Sequence, residues 1–387
     1  MQMDFHYYAT YCAAFLAGWS HGESLQIAYS AQFVDCCSES LLTKIRAPRA
    51  AATTQLQLEL MDARTDVIGL QNITRIWSSF HFLPRSLDVP VKGRRLYREK
   101  YRLICGPNGA LTEDTVRLAE NGSLQAIGVA MHVLADTWAH AGFAGTPSLV
   151  INNTNYWFYE LLPEGEGFTE RQISFRHSTS TPDDPEKGLY SASIYQMNEN
   201  SIMNLGHGRA GHLPDYSFMR YRYLPAWGGY RDILKDNPGE YMQAFRQMVA
   251  ALKCLRSGTE HFQRGSFDRE TVLPWEEEIR TILEKRQLDA CVDWKAFGER
   301  LSGEEIEDFD VEKYQAEYVA ATEAEKSGTF LGRFILAALA QKSMVTNKIF
   351  RSGNLLAGFS VDYGEKGLKG MRDYFRLAEY ILRGEKQ

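Results

Sequence analysis

No run of apolar residues in this chain approaches the ~18 needed to cross a membrane. The longest candidates, around 330–340 and 127–135, are interrupted by Arg333 or by His132. A basic N-terminal region is also missing. Met1-Gln2-Met3-Asp4-Phe5-His6 carries an acid early, so no signal peptide is expected and a cytoplasmic location is the default. There is no C-x-x-C pair. The six cysteines (Cys12, Cys36, Cys37, Cys105, Cys254, Cys291) are irregularly spaced and read as reduced core fillers. Positive charge is in deficit: the net charge of −6 excludes broad attraction to nucleic acid or an anionic membrane, though not a local basic site. H-E-x-x-H is absent, which argues against a zincin protease, and G-x-S-x-G and a P-loop are absent too. The chain has no His-Asp dipeptide, which argues against the HD-domain phosphohydrolases, and no internal repeat.

What is present is a soluble globular composition, 44% apolar and 24% charged over 387 residues, enough to bury a large core without staples. The pattern is mainly α. Helices are expected over 4–18, 23–44, 112–141 with a break at Asn121-Gly122, and from Asn237-Pro238-Gly239-Glu240, with Asn237 as the cap, Pro238 at the first helical position and Glu240 at the third, to about Arg256. Further helices are expected over 276–288, 293–301, 310–326, 328–350 and 366–384. Residues 51–61 alternate like a strand, and 160–200 read as a long polar loop or lid. The expected organisation is a helical metal-binding core over 1–265 with a helical extension over 266–387.

The chemistry concentrates in one segment. Met131–His140 spaces His132, Asp136 and His140 four apart in an apolar stretch. On a helix these share one face, and burying all three unpaired is costly. His132 and His140 would start ~12 Å apart along the axis, too far for one ion, with Asp136 between them as a bridge. Six of the nine histidines fall in segments with other ligand-type residues or a structural breaker beside them. These are Asp4-Phe5-His6, Phe80-His81-Phe82-Leu83-Pro84, the column, and His207-Gly208-Arg209-Ala210-Gly211-His212-Leu213-Pro214-Asp215, with Asp35 in an apolar helical run. Together they supply the donors of a multinuclear site, since each zinc takes about four ligands. His21, His177 and His261 have no partner motif.

The order His, Asp, His, then H-x-x-x-D with a following His, then a downstream His and Asp, resembles zinc-dependent phospholipase C and the related fungal single-strand nucleases. That resemblance covers roughly residues 1–220. The D-F-H-Y-Y, F-H-F-L-P and G-H-G-R-A-G-H-L-P-D segments resemble a family of uncharacterised bacterial proteins along most of the chain. The first resemblance implies an all-helical fold with a three-zinc cleft that hydrolyses phosphate esters. It implies that Asp35, His81, His132 and Asp136 hold one metal. His6, with Asp136 bridging, would hold a second, and His140, His207 or His212, and Asp215 a third. The chain departs from the pattern in three places. Secreted members use the amine of an N-terminal Trp, where Asp4 or water is expected here. The gap from Asp136 to His140 is shorter than usual, and His212–Asp215 is one residue shorter.

The expected activity is therefore hydrolysis of phosphate esters, most simply phosphodiesters, by metal-activated water, with zinc in two or three sites and manganese or iron as alternatives. Asp35 would position the nucleophile and Arg209 would reach a phosphate oxygen. Tyr7, Tyr8, Trp138, Tyr156, Trp157 and Phe158 read first as core and second as a substrate wall. The substrate would be a small molecule or phosphodiester. The alternatives are a metal-stabilised helical scaffold without catalysis, a metallohydrolase of another bond, or iron or manganese redox chemistry.

Overall fold

The computed structural model describes residues 1–63, 67–88, 101–146, 154, 157–176, 181–192, 206–225, 227–228 and 231–354. The expected helix over 366–384, Tyr156 and His177 lie outside these. The chain is mainly helical with a small sheet. A π-helical turn, Asp4–Ala9, runs into α1 (Thr10–Leu16). Then come α2 (His21–Cys36), α3 (Glu39–Lys44), α4 (Gln57–Ala63), α5 (Val67–Phe80), α6 (Ala110–Leu118) and α7 (Leu124–Ala139). Strands β1 (Tyr159–Glu164), β2 (Gly167–Gln172), β3 (Ser174–Arg176) and β4 (Leu189–Ser191) follow. Next are α8 (Gly206–Ala210), β5 (Arg220–Tyr223), β6 (Ile233–Asp236) and α9 (Asn237–Ser257). The last elements are α10 (Glu276–Glu284), α11 (Cys291–Ser302), α12 (Gln315–Ala320) and α13 (Phe330–Arg351). Among the described residues no helix is long and apolar enough to cross a membrane.

Helix α7 is the axis of the molecule. Nearly all its residues are buried, and it packs against α2, α6, α9 and α13. A helix apolar around its circumference must be covered on every side. Ser123 caps it by accepting from Ala126 N at 3.3 Å. Its closest neighbour is α2, and Gly128 is the reason. A Cβ there would stand 2.4 Å from Ile27 O and 2.5 Å from Ser30 Cβ.

The later helices share this core. Trp294, Phe297, Leu331 and Phe334 belong to the same apolar cluster as Phe5, Phe33 and Leu134. Tyr7 and Tyr29 donate to the Glu307 and Asp310 carbonyls at 3.1 and 3.0 Å. Gln341 Nε2 donates to Ser79 O at 3.1 Å and to Thr115 Oγ1 at 3.0 Å.

Three local expectations are corrected. The alternation at 51–61 ends in α4, a helix, with Leu56 and Leu58 exposed and no partner strand among the described residues. The helix expected over 23–44 breaks at Cys37, where Ser38 starts α3 by accepting from Leu41 N. The polar region after 158 is not all loop. Strands β2-β1-β5-β6 form an antiparallel sheet, and β3-β4 a parallel pair. The β1–β2 hairpin turns at Gly165, φ +60°. Strand β2 is exposed on both faces, so it shows no alternation to read. A second, aromatic core backs this sheet, with Phe143 and Phe158 stacked on Tyr223 at 5.3 and 5.2 Å.

Gly128→Ala should therefore destabilise the fold by about 1–3 kcal/mol, since the clash is with a backbone carbonyl. Gly22→Ala in the first turn of α2, with nothing within 4 Å, is the control and should be neutral or slightly stabilising. Urea denaturation of both variants checks this.

Candidate metal centre

Six elements deliver the polar side chains. Helix α7 presents His132 and Asp136 one turn apart, and His140 ends it as the C-cap residue. The π-helical turn brings His6, and α2 brings Asp35 near its C-terminus. His81 follows α5 in a turn closed by Phe82 N donating to Trp77 O at 2.7 Å. His207 lies on α8, and Asp215 in the turn after it. That turn is clamped. Asn237 Nδ2 donates to Leu213 O and Tyr216 O, each at 2.8 Å, and Tyr241 Oη to Pro214 O at 3.0 Å. Asn237 was expected as a helix cap, but Asp236 holds that position, leaving the amide to fix the Asp215 turn.

The side chains gather in three groups that could hold a metal ion: His6, Asp35 and His132; His81, His132 and Asp136; and His140, His207 and Asp215. In the second, Asp136 Oδ2 is 3.2 Å from His81 Nδ1 and 3.3 Å from His132 Nε2, and the two nitrogens are 3.3 Å apart. Asp35 Oδ1 lies 3.7 and 3.9 Å from the same nitrogens. His6 Nε2 approaches Asp136 Oδ1 at 3.2 Å and Asp35 Oδ2 at 4.0 Å. In the third group Asp215 stands 3.1 Å from His140 Nε2 and 3.4 Å from His207 Nε2.

The α-amine of Met1 lies between the groups, fully buried. It is 2.8 Å from Asp136 Oδ1, 3.1 Å from Asp215 Oδ1 and 3.4 Å from His140 Nε2. Burial alone would lower its pKa, but Asp136 and Asp215 outweigh that and raise it to about 11. Burial drives His6, His132 and His140 down to about 4, leaving them neutral. His81 shifts the other way: burial opposes its charge, but Asp136 and Asp35 prevail. Burial also pushes Asp136 up. His140, the amine, His132 and His6 override it and hold the carboxyl well below the usual range.

These residues fit divalent ions. His140 Nδ1 donates to His81 O at 2.8 Å, so the neutral ring turns its Nε2 lone pair toward Asp215 Oδ1. Two lone pairs in contact need a cation nearby, and the Met1 ammonium, 3.1 Å from Asp215 Oδ1 and 3.4 Å from His140 Nε2, supplies one. His81 Nε2 likewise meets Thr53 O at 3.0 Å, with Nδ1 facing Asp136 and His132. Carbonyl partners of this kind orient metal-binding imidazoles. His6 Nδ1 and Nε2 and His132 Nδ1 are buried without hydrogen-bond partners among the described residues. Donors on one tetrahedral ion at about 2.0–2.1 Å would stand roughly 3.3 Å apart, the spacing seen around Asp136 Oδ2.

The structure brings together His6, Asp35, His81, His132, Asp136, His140, His207 and Asp215. It places three other candidates elsewhere. Asp4, expected where the family has an amine, accepts from Phe5 N at 2.7 Å and Ala290 N at 3.2 Å. Burial raises its pKa to about 6 despite those bonds. The Met1 amine, not Asp4, is the group that reaches Asp136, at 2.8 Å. His212 is 59% exposed and lies 3.5 Å from Asp215 at the outside of the group, while His207 sits with His140. Arg209 is buried and donates Nη1 to Thr154 O at 3.1 Å, a contact that does not favour a role at a phosphate. Tyr7, Tyr8 and Phe158 are core, Trp157 is exposed, and Trp138 donates to Gln247. The ring that flanks the site is Phe82, stacked on His140 at 4.8 Å.

Fold and site define a mainly helical protein built around a buried His/Asp constellation suited to metal ions. The chain belongs to a family of unknown function, DUF6765, whose model matches residues 1–349. No curated protein and no solved structure matches it.

Two outcomes follow. The purified chain should carry roughly two to three divalent ions. Asp136→Asn should reduce that to below about one, and should remove the fall in Tm that a chelator causes in the unaltered chain, as a ligand at 100 times its Kd contributes about 2.7 kcal/mol. Elemental analysis and thermal denaturation read both.

Proposed function

We propose that this chain is a zinc-dependent hydrolase of phosphate esters, acting on phosphodiesters of small molecules, lipids or single strands. The observation that carries the reading is Asp35. Its side chain is 31% exposed at the edge of a group whose other donors, His6, His81, His132 and Asp136, are almost wholly buried. A purely structural zinc site is closed by protein ligands, whereas a catalytic one keeps a position open. His207, 20% exposed, gives the third group a similar edge. The order of donors along the chain, which resembles zinc-dependent phospholipase C and the single-strand nucleases, supports the same reading. So does the His/Asp chemistry, which suits zinc and accepts manganese or iron.

Bound divalent ions would polarise a phosphoryl oxygen and acidify water near neutral pH. The chain's own residues orient the reaction. Asp35 holds the attacking water at the open edge and accepts its proton. Asp136, fixed by three imidazoles and the Met1 amine, stays ionised throughout. Phe82, edge-on to His207 with ring centroids 5.6 Å apart, helps keep bulk water from the third group.

The metal-loaded chain should turn over bis(p-nitrophenyl) phosphate, a phospholipid or single-stranded DNA. Asp35→Asn should lower kcat by roughly 10²–10⁴-fold. Absence of turnover on all three substrates, with metal present, rejects the phosphodiesterase in favour of a scaffold or another bond.

A further inference from the structure

A cavity among the described residues lies apart from the histidine cluster. It measures about 1030 Å³ and lies beyond the C-terminal end of α7, where Ala141 and Gly142 follow the ligand-type residue His140. Its other walls are the 101–108 segment, β6 and the side of α9.

The lining is basic in an acidic chain. Among the described residues, Arg85, Arg102, Lys235 and Arg264 share this lining with a single carboxylate, Glu240. That carboxylate is already taken by the buried Lys235 ammonium, which also donates to Trp138 O at 3.0 Å. Arg85 and Arg264 are exposed and form no side-chain ion pair among the described residues. The stem of Arg85 lies over Gly106, where a Cβ would stand 3.1 Å from its Cδ.

The lining also carries aromatic and apolar groups: Tyr101 and Trp227, both half-buried, with Ile104 and Ile233. Glycine keeps the floor low. Gly142 has φ +93°, and a Cβ there would stand 2.7 Å from Tyr223 Oη and 3.5 Å from the Trp227 indole.

Guanidinium groups bind phosphates bidentately, and aromatic faces hold planar rings. A phosphate alone would leave the ring wall unused, and the volume matches a ligand of drug size or larger. We infer that this cavity binds a nucleoside phosphate, with Arg85 and Arg264 on the phosphates and the base against Tyr101 and Trp227. The inference does not depend on the phosphodiesterase reading, because no residue of the cavity belongs to the histidine cluster.

Calorimetric titration of the metal-loaded full chain with α,β-methylene-ADP, which resists hydrolysis, tests it. Binding is expected in the range of roughly 1–100 μM. Arg85→Gln/Arg264→Gln should weaken it at least about tenfold without changing metal content. Trp227→Leu should weaken it too, and His207→Ala in the cluster should leave it unchanged. Four results overturn the proposal: no binding up to about 1 mM, equal affinity for inorganic phosphate, binding of single-stranded oligonucleotide alone, or binding lost in His207→Ala but kept in Arg85→Gln/Arg264→Gln.

Discussion

A carboxylate buried in the last turn of an apolar helix is the constraint on which the rest of this structure depends. Asp136 is almost wholly buried on the helix that forms the axis of the core. An ion withdrawn from water costs several kcal/mol unless matched by charge or hydrogen bonds. The surrounding architecture supplies that match from four directions: His6 from the π-helical turn, His81 from the turn after α5, His132 from one turn back, and the Met1 amine. The wide π-helical turn, a geometry that recurs at functional sites, is part of the same arrangement. It lays the His6 ring on that of His132, centroids 3.9 Å apart.

The two ends of the constellation are supported differently. Around Asp136 Oδ2 the donors rise from helices locked in the main core, with Gly128 holding α2 against α7 and so fixing Asp35 relative to His132. Around Asp215 the support is a turn, held by the amide of Asn237 and the hydroxyl of Tyr241 on α9 and backed by the aromatic core of the sheet. Helical positions are set by packing, and turn positions by a few hydrogen bonds. The Asp215 side is thus the part whose geometry individual polar side chains govern.

Much of this was legible in the sequence, for reasons that differ residue by residue. The spacing of His132, Asp136 and His140 is readable because helical periodicity alone puts them on one face. His81 and His207 were readable only as ligand-type residues beside others, and the fold brings them to the column. The hairpin was not readable, because β2 has no buried face and so no pattern. The helix at 57–63 was hidden by a short accidental alternation. The amine left no signal in side-chain types, since it is a backbone group. Asn237 satisfied every rule for a cap, yet its amide serves three carbonyls across the chain, contacts that only the tertiary fold creates.

The sequence separation of these donors has a consequence for how the protein is made. Met1 meets Asp136 across 135 positions, His140 meets Asp215 across 75, and His81 meets Asp136 across 55. Contacts of such range close large loops and form late, after local helices have condensed. A segment that holds the whole constellation must reach from Met1 to Asp215, and no single local element contains it. Filling it is therefore a readout of complete folding, and an ion that binds there stabilises the native topology as a whole rather than one corner of it.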